Sequence, residues 1–175
     1  MTTRQLLIPF FLLCLPALCH AQIDSYLLIN KPIAQIENKA QQAEAWATCA
    51  VLYDIMADTL AEQHPENSQK AKELRNGAAL AVDMTLFSRD YPFNLSYDDF
   101  KLAFPPAREA GAKLRRRINV AIQQDMQSSL AHPEQNFVVK MQNSITICKD
   151  NLQGQEAYGQ LWQAILQRRE ASSEQ

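Results

Sequence analysis

Cys49 and Cys148 carry the chemistry that the spacing of this sequence supports best, and that chemistry is oxidation to a disulfide. Cys49 lies in a stripe with Trp46, Tyr53, Met56 and Leu60. Intervals of three and four residues put all five on one face of a helix. Phe137, Met141, Ile145, Cys148 and Leu152 form a second such stripe. Packing one stripe on the other would bring the two sulfurs within bonding reach. An even number of cysteines in an oxidising compartment favours a bridge. The alternative is a pair of buried thiols that pack as small apolar groups.

Other reactive side chains are sparse and scattered. His64 and His132 each precede a proline at a helix start, with no cysteine or carboxylate at ligand spacing beside them. They read as solvated turn residues, and no metal or cofactor is expected. Asp54, Asp83 and Asp125 interrupt apolar stretches. Two carboxylates can cleave a glycoside. Aspartates on helix surfaces, or paired with arginine, are the plainer reading. The sequence has no Cys-x-x-Cys, no His-Glu-x-x-His and no glycine-rich phosphate loop, and nothing local supplies a histidine partner to a serine.

Two stretches suggest recognition. The first is the basic run of Arg115, Arg116 and Arg117, with Lys113, Arg108 and Lys101 before it. Successive residues step about 100° around a helix. With Leu114 and Ile118 inward, Arg116 falls opposite the buried stripe and Arg115 and Arg117 flank it, so all three reach solvent. The run reads as a solvated face or as a surface for an anionic partner. The second is the loop carrying Tyr91, Phe93 and Tyr97, where aromatics beside arginine resemble an interface hot spot. Phe93 and Leu95 are instead expected to plug the end of the fold.

These groups must be positioned by helices, because no stretch alternates as a strand does. The pattern predicts an all-α bundle of about five to six helices, stapled by one disulfide. Nothing breaks helical spacing from Ile33 to about Glu62. The polar, alanine-rich first half is expected to lie across the surface and the apolar second half to form the centre. Pro65 opens the next helix, to about Ser88, with Gly77 inside it for close packing. Ser96 and Asp99 resemble a capping box for a short helix through Phe100, Leu102 and Phe104. Pro105–Pro106 should end that helix and start a longer one to about Leu130, with Ala110, Leu114, Ile118, Ala121 and Ile122 inward. The Cys148 helix should end near Gly154, and a last helix should cover about 155–169.

The N-terminus has the layout of an export signal. Arg4 precedes the apolar run from Leu6 to Leu18, and Cys19-His20-Ala21 offers a cleavage site before Gln22. Residues 1–21 are therefore expected to be removed, leaving residues 22–175 as a single helical domain, periplasmic or secreted, with no transmembrane segment. The 17 basic residues less Arg4 leave 16 against 19 acidic, a net of −3. That balance argues against nucleic-acid binding.

Trp46-Ala47-Thr48-Cys49-Ala50 on an early helix and Cys148-Lys149-Asp150 on a late one give the chain a layout similar to periplasmic immunity proteins of type VI secretion amidase effectors. The likeness covers those two segments, together with export, helical fold and paired cysteines. It implies neutralisation of a wall-degrading toxin and carries over no binding residue. The leading expectation is an exported, non-catalytic protein that binds another protein. The alternatives are a cell-wall polymer hydrolase using carboxylates and a small-molecule or lipid carrier. A hydrolase needs convergent carboxylates of perturbed pKa. A carrier needs a large apolar pocket.

Overall fold

The structure is a computed structural model that describes residues 32–131 and 136–173. The export segment, the cleavage site before Gln22 and the turn at His132 lie outside the described residues. A 3-10 turn, Ile33–Gln35, leads into five helices: α1 (Lys39–Leu60), α2 (Pro65–Asp90), α3 (Tyr97–Ala131), α4 (Phe137–Asp150) and α5 (Leu152–Ser173). No strand occurs among the described residues. Cys49 and Cys148 are bonded, with Sγ–Sγ 2.05 Å and Cα–Cα 5.5 Å. The fold is therefore the all-α bundle stapled by one disulfide that the two stripes predict.

α1 starts six residues later than its periodicity suggests. Ile36 is extended, and the Asn38 side chain accepts from the N–H groups of Ala40 and Gln41 at 3.0 and 3.1 Å. This N-cap satisfies donors that the helix leaves free. The turn before it is pinned from two sides. Ile33 N–H donates to Asn151 Oδ1 at 2.7 Å, and Gln42 Nε2 donates to Ile33 O at 3.0 Å.

The centre of α1 is its middle: Lys39–Gln41 of the polar first half lie at the surface, as expected, but burial begins at Gln42 and the last turns of the second half come back to the surface. Every residue from Ala45 to Tyr53 is buried, whereas Asp54, Ile55 and Met56 are half-buried and Asp58 and Thr59 are exposed. The alanines explain this. α1 packs most extensively on α2, and Ala43, Ala47, Ala50 and Ala57 on the first and Ala71, Ala78 and Ala81 on the second are all nearly inaccessible. Small side chains let backbones approach, so the middle of α1 becomes the centre and α3, α4 and α5 close around it. Ser68 Oγ donates to Ala57 O at 2.7 Å and fixes the start of α2 on α1. Gly77 serves packing, because a Cβ there would overlap the Gln155 side chain, which donates to Leu74 O at 3.1 Å.

α3 corrects a second expectation. Pro105 and Pro106 do not divide it. Each lacks an N–H for the carbonyl four residues earlier. Those carbonyls belong to Lys101 and Leu102, which are exposed like the prolines themselves. Phe100, Phe104, Ala107, Gly111, Leu114, Ile118 and Ile122 keep one helical phase across the prolines and turn toward the core. Burial of that stripe offsets the two lost hydrogen bonds. Ala110 is exposed, and Gly111 takes the inward position assigned to it. Ser96 caps the helix as expected, but the Asp99 carboxylate bonds the Ser96 hydroxyl and not its backbone N–H, so half of the capping box is formed. Ser96 Oγ accepts from Asp99 N–H at 3.2 Å and donates to the Asp99 carboxylate at 2.6 Å.

The last two helices meet at Asn151, not at Gly154. Asn151 Nδ2 donates to Ile147 O at 2.9 Å while Oδ1 holds the 3-10 turn. Gly154 sits inside α5 against Ala34 and the Trp46 ring. At the far end of the bundle, Phe87, Phe100, Phe104 and Trp162 form an aromatic cluster with ring centroids 4.8–5.8 Å apart.

Candidate functional site

The arginine run is divided among three environments. Arg115 turns inward: its Nη1 donates to Asp83 Oδ1 at 2.9 Å and to Ala79 O at 3.2 Å, and its side chain is 24% exposed. The expectation that all three arginines reach solvent fails at this residue. Arg115 lies only about 60° around the helix from Ile118, and Asp83 on α2 provides a charged acceptor on that side. Arg117 reaches across to α1 and donates to Glu44 Oε1 at 2.7 Å, with its side chain still mostly exposed. Arg116 stands outward beside Glu109, whose carboxyl is held below its ordinary range by the Lys113 hydrogen bond and charge and, to a lesser degree, by Arg116.

Glu109 and Lys113 pair at 2.6 Å on the same outward face. Leu102 and Val120 lie on it too, 79% and 55% exposed. Leu102, Glu109 and Arg116 recur every seven residues, as do Lys113 and Val120. Two turns of helix separate members of each series, so the five share a stripe opposite Ile118. Sequence reasoning missed the two apolar members. Their phase could have found them, since both fall opposite the buried stripe.

The aromatic loop is a separate surface. Tyr97 and Arg115 are 18 residues apart on one helix, which is about 27 Å at 1.5 Å per residue. Tyr91 is 45% exposed and stacks on Phe87 at 5.3 Å. Phe93 is half-buried, 5.9 Å from Phe87, and Leu95 and Tyr97 pack on the same cluster. Phe93 and Leu95 thus plug the end of the bundle, as expected. Of the three ring residues assigned to a partner, Tyr91 is the one with an exposed ring. Arg168 on α5 holds the loop, donating from Nη1 to Phe93 O at 2.8 Å and Leu95 O at 3.2 Å. No sequence signal marks it, because it reads backbone carbonyls more than 70 residues away.

The carboxylates weighed for catalysis do not converge. Asp54 on α1 accepts from Arg75 at 2.7 Å, and Asp83 on α2 accepts from Arg115 on α3 at 2.9 Å. Burial pushes the Asp83 pKa up, while the hydrogen bond and charge of Arg115 and the charge of Arg108 pull it back. Asp125 lines a shallow surface hollow between α1, α3 and α4, with Leu52, Ile122, Phe137 and Met141. His64 is exposed at the turn before α2. Burial raises the Tyr53 hydroxyl to about 12, so it stays protonated in the core. Among the described residues, no group of His, Cys, Asp and Glu could hold a metal ion. Among them also, no helix is long and apolar enough to cross a membrane. Comparison of the chain with family models, curated proteins and solved structures finds no match.

Proposed function

We propose that this is an exported, non-catalytic helical binding protein of the inhibitor or immunity kind, whose partner is another protein with an acidic docking surface. The outward stripe of α3 carries this reading: Lys113 and Arg116 stand between exposed Leu102 and Val120 on one helix. Apolar contacts flanked by cations suit a partner that presents carboxylates around an apolar strip. Arg108 and Lys101, also exposed on α3, extend the positive field. Asp54 and Asp83 are each engaged by an arginine, which favours a binding role over two-carboxylate hydrolysis.

Capture of the partner from a periplasmic extract, followed by association kinetics, tests this reading. Arg116→Glu should change stability by no more than about 0.5 kcal/mol, because Arg116 is exposed. The same change should slow association several-fold, and wild-type association should weaken as salt rises. A rate insensitive to both salt and Arg116→Glu would remove α3 as the docking face and leave the Tyr91 loop.

Export is tested separately. The intact mass of exported protein should correspond to a chain beginning at Gln22. Retention of Met1 in that form would contradict the export signal.

A further inference from the structure

We propose that the Asp83–Arg115 pair, seated in the gap left by Gly111, is a rotational lock that fixes which face α3 turns outward. The consequence for partner docking rests on the reading of α3 given above, whereas the lock itself is a property of the fold and can be read without a partner.

The middle of α3 needs such a device. Its two ends are keyed by large side chains, Phe100 and Phe104 on one side and Ile118 and Ile122 on the other. Between Phe104 and Leu114, which also packs on the core, the inward positions are Ala107 and Gly111, which offer no knob to a neighbouring helix. The same interval begins at Pro105–Pro106, where two backbone hydrogen bonds are missing. Apolar packing therefore specifies rotation least in this stretch.

The polar contact specifies it sharply. A single Arg115 nitrogen, Nη1, bonds both Asp83 Oδ1 and Ala79 O, two acceptors one turn apart on α2. Turning α3 by one residue would swing the guanidinium about 100° away from both. Gly111 makes the geometry possible, since a Cβ there would overlap the Asp83 carboxylate. Hydrogen bonds are directional where apolar contacts are not, and a buried polar pair can define register at some cost in stability. With Arg115 fixed inward, Arg116 is carried outward together with Lys113 and Val120.

The test replaces the pair by apolar side chains of similar size, Asp83→Leu with Arg115→Met, in the disulfide-bonded protein. Amide hydrogen exchange and ¹H–¹⁵N spectra read the result. The lock predicts that thermal stability is kept or raised, while amides 107–116 of α3 exchange at least tenfold faster or give doubled resonances. Amides of α1 and α2 should stay as in wild type. Asp83→Ser is the second variant. It leaves no buried charge, because Arg115 can extend its head to water, and it predicts the same loosening confined to α3. One set of α3 resonances, with protection within twofold of wild type in whichever variant folds, would overturn the lock. If neither variant folds, the pair serves global stability and the proposal fails. Loss of partner binding by Arg116→Glu bears on the docking reading alone.

Discussion

Replacing Cys148 by serine is expected to lower the free energy of unfolding by about 4–5 kcal/mol, the value that chain entropy assigns to a loop of roughly 100 residues. The bridge joins residues 99 apart in sequence, so reduction returns nearly the full loop entropy to the unfolded chain. The effect should be concentrated in α4. Of its 14 residues only Ser144 and Cys148 are buried, and Val138 and Val139 are 64% and 46% exposed. The disulfide ties this thinly packed helix to the deepest part of α1. Chemical denaturation of Cys148→Ser against wild type under non-reducing conditions measures the loss. Hydrogen exchange should show α4 amides losing protection before those of α1 and α2. Free alkylation of both thiols in native protein would contradict the bridge itself.

Arg115→Ala is expected to cost about 3–5 kcal/mol near neutral pH, because it leaves the Asp83 carboxylate buried without its partner. Asp83 is 7% exposed, and burial already raises its pKa above that of an unfolded aspartate. Removing Arg115 takes away the largest opposing influence and raises it further. The folded state of the variant then binds a proton more readily than the unfolded state. Stability of Arg115→Ala should therefore rise as pH falls from neutral through the raised Asp83 pKa, and should fall again as pH increases. In wild type the guanidinium opposes this rise, so the same pH change should have a smaller effect. Asp83→Asn combined with Arg115→Ala should remove the pH dependence and recover part of the loss. Urea unfolding of the three proteins across that range checks the sign. A penalty for Arg115→Ala that does not vary with pH would mean that Asp83 is reached by water once Arg115 is gone.

Both effects concern groups whose partners lie far away in sequence, and that decides how much could be read beforehand. The cysteine pairing was legible because each stripe is a local pattern and the two patterns match. The start of α2 at Pro65 and the Ser96–Asp99 cap were legible for the same reason, since caps and N1 prolines act within one turn. The continuity of α3 was not. Locally, Pro105–Pro106 argues for a break, and it is the buried stripe from Phe100 to Ile122, packed on other helices, that outweighs two missing hydrogen bonds.

Periodicity in the sequence determines which residues share a helix face, and it placed the two cysteine stripes and the phase of Arg116 opposite Ile118. Tertiary structure alone decided depth and partnership. It made the middle of α1, from Gln42 to Tyr53, the centre, because the alanines there let neighbouring helices approach closely. It drew Arg115 inward while leaving Arg116 outside, because Asp83 on α2 and the space at Gly111 meet there. Face is a property of one segment, whereas burial and charge pairing depend on what another segment brings to the same place.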